Sequence, residues 1–352
     1  MNLKKIAALF KQKQTQLHKY KEIRQLKPQS IINGLLGDKS IGPLTLKMNF
    51  FTDNKPIDLT NSEKKISFKN PDNPKVCLLI HGLMDGHHSW RQKNDYDYGD
   101  LLSENFGYTP LYLRYNTGLH ISQNGRRLAK LIRKLEKSFS RPVDEIIVIA
   151  HSMGGLVMRS ACHYGGQQGW LKKISQIFYL GCPHLGAPLE KFGNLATNIL
   201  TILPYPFLNL TKNIINLRSA GIKDLRHGYL VDEDWQGTNP DSLFVKNKAI
   251  IPLHPNMAHF AISSSISKNP HGLLTKIVGD SMVPPASAFG QSKNPKKNLY
   301  FYPDHLKLIT DLSHVGLIGS DEVYKAITEW LIRNQIEPPK KGAQPVNGKV
   351  SS

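Results

Sequence analysis

The chain has 352 residues, 40% apolar and 21% charged, with a net charge of +19 at neutral pH. Its size suits one large α/β domain with insertions or two small ones, and its composition is that of an ordinary globular protein. The charge points to nucleic acid, to an anionic membrane surface, or merely to a solubilising basic surface. The chain has no helix-turn-helix, zinc-finger or aromatic-basic RNA signature, so no nucleic acid is expected.

Residues 3–27 carry eight Lys/Arg and one acid, and Leu3, Ile6, Ala7, Phe10, Leu17, Tyr20, Ile23 and Leu26 recur at helical spacing. This basic amphipathic arm, within residues 1–40, would either lie on an anionic membrane or pack on the main domain. Its apolar run, Ile6 to Phe10, is too short for a signal peptide, and no stretch of the chain reaches transmembrane length. The expected location is cytoplasmic, with peripheral membrane contact as an option. Cys77, Cys162 and Cys182 lie in apolar runs with no CxxC pair, which reads as buried free thiols and a reducing compartment.

From residue 41 to 336 the pattern is that of one domain. "TLKMNFF" and "KKISFK" read as short strands, and "PKVCLLI" as a buried strand ending at His81-Gly82. "TPLYLRY" is a further strand. "SQNGRRLAKLIRKLEKSF" has one apolar helical face, with Ser122 placed to cap it. "EIIVIA" is a strand that breaks at His151-Ser152-Met153-Gly154-Gly155, followed by a helix ending near Gly165-Gly166. "ISQIFYLGCPH" is another buried strand. Strands alternating with helices imply parallel βαβ units in a doubly wound sheet.

Across residues 187–257 this rhythm fails. "NLATNILTILPYPFLNL" is apolar and proline-broken, and reads either as a core helix pair or as a lid over a substrate. The acidic "VDEDW" (Val231 to Trp235) reads as a solvated or hinge cluster rather than a cation site. "HFAISSSIS", "TKIVG" and "NLYFY" resume strand character. The last helix, "SDEVYKAITEWLIRN", has Ser320 as its cap. Residues 337–352 read as a flexible tail.

The chemistry centres on Ser152, in a strand–turn–helix setting close to the G-x-S-x-G nucleophile elbow, with Ala150 in place of the first glycine. Serine attack on an ester needs a base, an acid to orient that base, and donors for the oxyanion. His81-Gly82 ends a strand 70 residues upstream, which offers the backbone N–H of Leu83, alongside that of Met153, as the oxyanion donors. His81 and His151 shape their loops rather than titrate, and His184 supports the serine loop. His314 lies just before the last helix, where the base should be. Asp280 lies between serine and histidine, beyond the penultimate sheet strand. Asp304 directly follows "NLYFY", late for the acid, and Asp311 is too local to His314.

"LLIHGL", "AHSMGGLVMR", "YLGCPHLGAPL", "GDSMVPPASA" and "SHVGLIGSDEVYKAITEWL" together resemble the α/β-hydrolase esterases and lipases, in particular their GPI-inositol-deacylase-like and small bacterial lipase branch. The resemblance spans about residues 74–332, with mild departures at "GCPHLGAP" and at Asp280-Ser281-Met282-Val283-Pro284. It implies an α/β-hydrolase fold with a helical lid or cap, a Ser152–His314–Asp280 triad, and no metal or organic cofactor. The expected activity is cleavage of carboxylic, lipid or other acyl esters. Acyl transfer, thioester or amide hydrolysis would use the same triad, and a non-catalytic binding role on the same scaffold is a further alternative.

Overall fold

A computed structural model describes residues 28–39, 42–61, 63, 65–91, 97–188, 218–239, 248–267, 282–337 and 340–341. The basic residues 1–27, the "ILTILPYPFL" stretch and Asp280 lie outside the described residues.

Eight strands form one sheet in the order β2-β1-β4-β3-β5-β6-β7-β8. They are β1 (Asn49–Thr52), β2 (Lys55–Pro56), β3 (Lys75–Ile80), β4 (Thr109–Arg114), β5 (Glu145–His151), β6 (Ile174–Leu180), β7 (Ala258–Ser265) and β8 (Leu306–Thr310). β1 pairs antiparallel with β2 and β4, and every pairing from β4 to β8 is parallel. Strand order reverses around β3, from which the chain winds outward in both directions.

Helices cover both faces, which explains why the central strands are continuously apolar. On one face Val76, Leu78, Ile80 and Val148 pack with Leu128, Ile132, Leu156 and Val157. These last four belong to helices α3 (Ile121–Ser138) and α4 (Met153–Gly165). On the other face Cys77, Leu79, Ile147 and Phe260 pack with Leu102, Ile327 and Trp330. Helices α2 (Tyr98–Phe106) and α7 (Asp321–Ile336) supply those partners. All three cysteines are buried free thiols.

Several local expectations are corrected. "KKISFK" is not a strand; it contributes a single bridge, Ile66 to Phe139. Ser122 does not cap α3, whose cap position is His120; the Ser122 hydroxyl instead accepts from Trp235 Nε1 at 3.0 Å. "NLYFY" is not a strand either. The last strand is β8, so Asp304 precedes it rather than follows it. Ser320 caps α7 as expected, accepting from Val323 N.

Residues 28–36 are helical (α1) and bury Ile31, Ile32, Leu35 and Leu36, so this end of the N-terminal arm is part of the domain core. Asn33 ties it down, accepting from Leu46 N at 2.9 Å and donating to Leu44 O at 2.7 Å. The described part of the insertion also packs inward. Helix α5 (Ala220–His227) buries Leu225, and α6 (Asp232–Trp235) buries Asp234. Two acids of the cluster are therefore buried rather than solvated, and only Glu233 is exposed. Asp234 accepts from the backbone N–H groups of Leu230, Val231 and Ala249, and Asp232 pairs with Arg126. No helix among the described residues is long and apolar enough to cross a membrane.

Candidate active site

Ser152 stands at the C-terminal end of β5, where the chain turns directly into α4. Its backbone is at φ 51°, ψ −123°, a conformation that a residue with a Cβ seldom adopts. Neighbouring groups hold it there. Ser152 N–H donates to Leu180 O at 2.8 Å, extending the β5–β6 ladder by one bond past the strand, and Ser152 O accepts from Gly155 N at 3.0 Å. The turn is tight because two glycines let α4 approach the sheet. A Cβ on Gly154 would stand 2.5 Å from Ile80 O, and one on Gly155 2.5 Å from Cys182 Sγ. Ala150 causes no conflict: it lies in β5 between Ile80 and Tyr179, with its methyl in the core.

The loop after β3 lies against the serine. A Cβ on Gly82 would be 3.1 Å from both Ser152 Cβ and His151 Nδ1, so this glycine admits the serine side chain. His81 controls the loop's orientation. Its Nδ1 makes a 2.9 Å hydrogen bond to Gly82 O, and its ring stacks on Tyr115, whose hydroxyl donates to His81 O at 2.9 Å. In a trans peptide the C=O and the following N–H point opposite ways. Turning Gly82 O toward the imidazole therefore turns Leu83 N–H away from it. Met84, at φ 59°, donates its own N–H to Thr117 Oγ1 at 3.1 Å. Met153 is the first residue of α4, where a helix leaves the amide N–H without an intrahelical acceptor. Burial holds His81 down to about 3, so it stays neutral at physiological pH.

His314 is reached from the C-terminal end of β8, through Asp311 at φ 58°, and is only 3% exposed. Two groups position it. His151 Nε2–H donates to His314 O at 3.1 Å, and the two rings lie 4.8 Å apart. Gly181, at φ 59° just after β6, leaves room for the imidazole; a Cβ there would stand 2.8 Å from His314 Cε1. The histidine next to Ser152 thus contacts the loop carrying His314, so the structure brings Ser152, Gly82, His151 and His314 to one end of the sheet.

Asp280 follows β7 in the chain, but its placement is outside the described residues. Asp304 sits at the opposite end of β8 from His314 and bonds to Arg333 and Lys340 at 3.5 and 3.3 Å, so it is remote from Ser152. Gly181, Thr117 and Tyr115 are positioning residues that sequence reasoning did not single out. Only the first had a signal, as the glycine ending the β6 run. Among the described residues, no cluster of three or more His, Cys, Asp or Glu side chains is arranged to hold a metal ion.

Comparison with solved structures gives similarity to the mature lipase BlEst2 of Bacillus licheniformis, at 18% identity and a TM-score of 0.45, over 74% of this chain and 93% of that one. Similarity to the Pyrococcus furiosus esterase Pf2001 is 17% identity and a TM-score of 0.41, over 74% and 82%. No curated protein matches the sequence significantly. The profile of the PGAP1-like alpha/beta domain matches residues 75–264, more than half the chain. That span runs from the start of β3, through the Ser152 elbow, to the end of β7. With its doubly wound sheet and strand-to-helix serine turn, the chain has the α/β-hydrolase fold and belongs to the PGAP1-like alpha/beta domain family.

Proposed function

We propose that the protein is a serine hydrolase that cleaves carboxylic esters, with acyl or lipid esters as substrates. The observation that carries this reading is the strained backbone of Ser152 at a buried strand-to-helix turn, beside a glycine loop and within one residue of a histidine bonded to the His314 loop. Strain of this kind persists where a side chain must be presented in one direction.

In this mechanism His314 takes the Ser152 hydroxyl proton as Oγ attacks the ester carbonyl carbon. The carbonyl oxygen becomes an oxyanion, held by the N–H groups of Leu83 and Met153. Collapse expels the alcohol, which receives the proton from His314, and leaves an acyl-serine. Water, deprotonated by His314, then attacks the acyl carbon and frees the acid and Ser152. Asp280 orients the His314 ring and stabilises its charge. His81 and His151 are positioning residues: one aims the Leu83 amide, the other anchors the His314 backbone.

The test is hydrolysis of p-nitrophenyl esters of graded acyl length by the full chain and by Ser152→Ala. The variant is expected to fold normally, to lose ester turnover by at least about a thousandfold, and to lose labelling by a fluorophosphonate probe. Undiminished turnover in the variant overturns the assignment. Contact of residues 1–27 with anionic membrane is part of the same proposal and rests on their composition. Deleting the arm should abolish binding to anionic vesicles at low salt.

A further inference from the structure

The structure holds a cavity whose described lining does not include Ser152. It has a volume of about 380 Å³ and is walled by Arg159 of α4, His184 after β6, Arg226 of α5, and by Lys248 and Lys297. Among the described residues, none of those proposed for ester chemistry lines it. Arg159 is seven residues along α4 from Ser152, about 10 Å by helical rise. Among the described residues, the basic side chains lining the cavity are Arg159, Arg226, Lys248 and Lys297, and no carboxylate lines it. Asp234 acts on Arg159 and Lys248 through space, but its oxygens are taken up by backbone N–H groups.

Several donors at this wall have capacity left. Lys248 Nζ donates to His184 O at 3.3 Å and to His227 O at 3.0 Å, which leaves a third hydrogen when the amine is protonated, the form an anion in the cavity would favour. Arg159 Nη1–H donates to His184 Nδ1 at 3.3 Å and Nη2–H to Ile251 O, while Nε has no hydrogen-bond partner among the described residues. Because His184 Nδ1 accepts, the neutral ring carries its hydrogen on Nε2. That N–H belongs to a side chain only 1% exposed and has no partner among the described residues. A buried donor left unmade costs about 1–3 kcal/mol. Burial, reinforced by Arg159, keeps His184 neutral, and burial holds Lys248 down to about 7. An acceptor-rich anion would answer both the excess charge and the unused donors.

We propose that this cavity binds the phosphate group of a phosphorylated organic molecule. The dianion of a phosphate monoester offers acceptors only and carries enough negative charge to face several cations at once. Apart from His227 and Ser292, the rest of the described wall is apolar, with Leu185, Leu230, Ile251 and Leu299 suited to the organic part. The volume falls within the range of small-molecule sites and exceeds the needs of a bare ion.

Calorimetric titration of the full chain tests this, using Ser152→Ala so that the outcome is independent of ester turnover. Inorganic phosphate, at constant ionic strength against chloride, is expected to bind saturably at one site. Lys248→Met and Arg226→Gln should each weaken it at least tenfold, whereas Lys296→Met, on an exposed residue outside the cavity, should not. Arg226 is partly exposed, so its variant serves if Lys248→Met folds poorly. Glycerol 3-phosphate and phosphatidylcholine vesicles with and without phosphatidic acid identify the source. Tighter binding of the first points to a soluble ester, and selective binding to the acidic vesicles points to a lipid headgroup. Absence of saturable heat, or equal weakening by Lys296→Met, overturns the proposal.

Discussion

Gly181 and Gly166 both have a positive φ, 59° and 55°, but only Gly181 faces His314. Alanine at either position meets the strain of a positive φ, about 1 kcal/mol or more. At Gly166 a Cβ would meet nothing within 4 Å, whereas at Gly181 it would press on the imidazole. Gly181→Ala is therefore expected to lower kcat for ester hydrolysis at least tenfold, with kcat of Gly166→Ala near wild type. Kinetics on the matched pair, with thermal melts of both, check this; equal activities would show that Gly181 does not position His314. Both glycines are visible in the sequence, but their difference is not, since it depends on a side chain more than 130 residues away.

At the scale of elements, the direction of α4 is set by how closely α3 can approach it. A Cβ on Gly125 of α3 would overlap Ser160 Oγ of α4, and that hydroxyl donates to Leu230 O at 2.6 Å, linking both helices to the insertion. Glycine inside a helix costs about 0.5–1 kcal/mol relative to alanine, so an isolated α3 would gain from Gly125→Ala. In the folded protein, overpacking and the disturbed Ser160 bond should outweigh that gain, for a net loss of about 1–3 kcal/mol. Chemical denaturation measures this, and a stabilised variant would refute the close-packing account. Helix α1 shows the same dependence on tertiary contact. The amphipathic spacing read in the arm ends at Leu26, before this helix, and its attachment through Asn33 to Leu46 joins segments whose proximity no local pattern reveals.

For the whole molecule, buried neutral histidines tie stability to pH. Burial depresses His81 and His259 to about 3 each. In the unfolded chain they would protonate near their ordinary 6.5, so below that pH the unfolded state binds more protons. Their contribution is complete above about pH 6.5 and is lost progressively as pH falls toward 3. Each removes about 1.4 kcal/mol per pH unit in that window. Melting temperature is expected to drop steeply from pH 6.5 to 4. His259→Gln, which keeps a polar group beside Tyr179 and His254 O, should flatten the slope. A melting temperature flat across this window would contradict the burial of these neutral rings.

What the sequence determined by itself was whatever is local. The apolar runs of β3, β5 and β6, the amphipathic α3, the Ser320 cap and the serine turn follow from side-chain periodicity and turn chemistry within a few residues. Their alternation established the α/β class, and the spacing of His81-Gly82, Ser152 and His314 suggested a hydrolase. It misplaced the last strand because "NLYFY" has β-forming residues, whereas β8 is defined by pairing with β7. Tertiary structure alone decided which groups meet: His151 with the His314 backbone, Gly82 and Gly181 as spaces for the Ser152 and His314 side chains, and His184, Lys248 and Arg159 around one cavity. These are contacts between segments up to 163 residues apart. They form because strands that are parallel in one sheet bring their C-terminal ends together, whatever their distance along the chain.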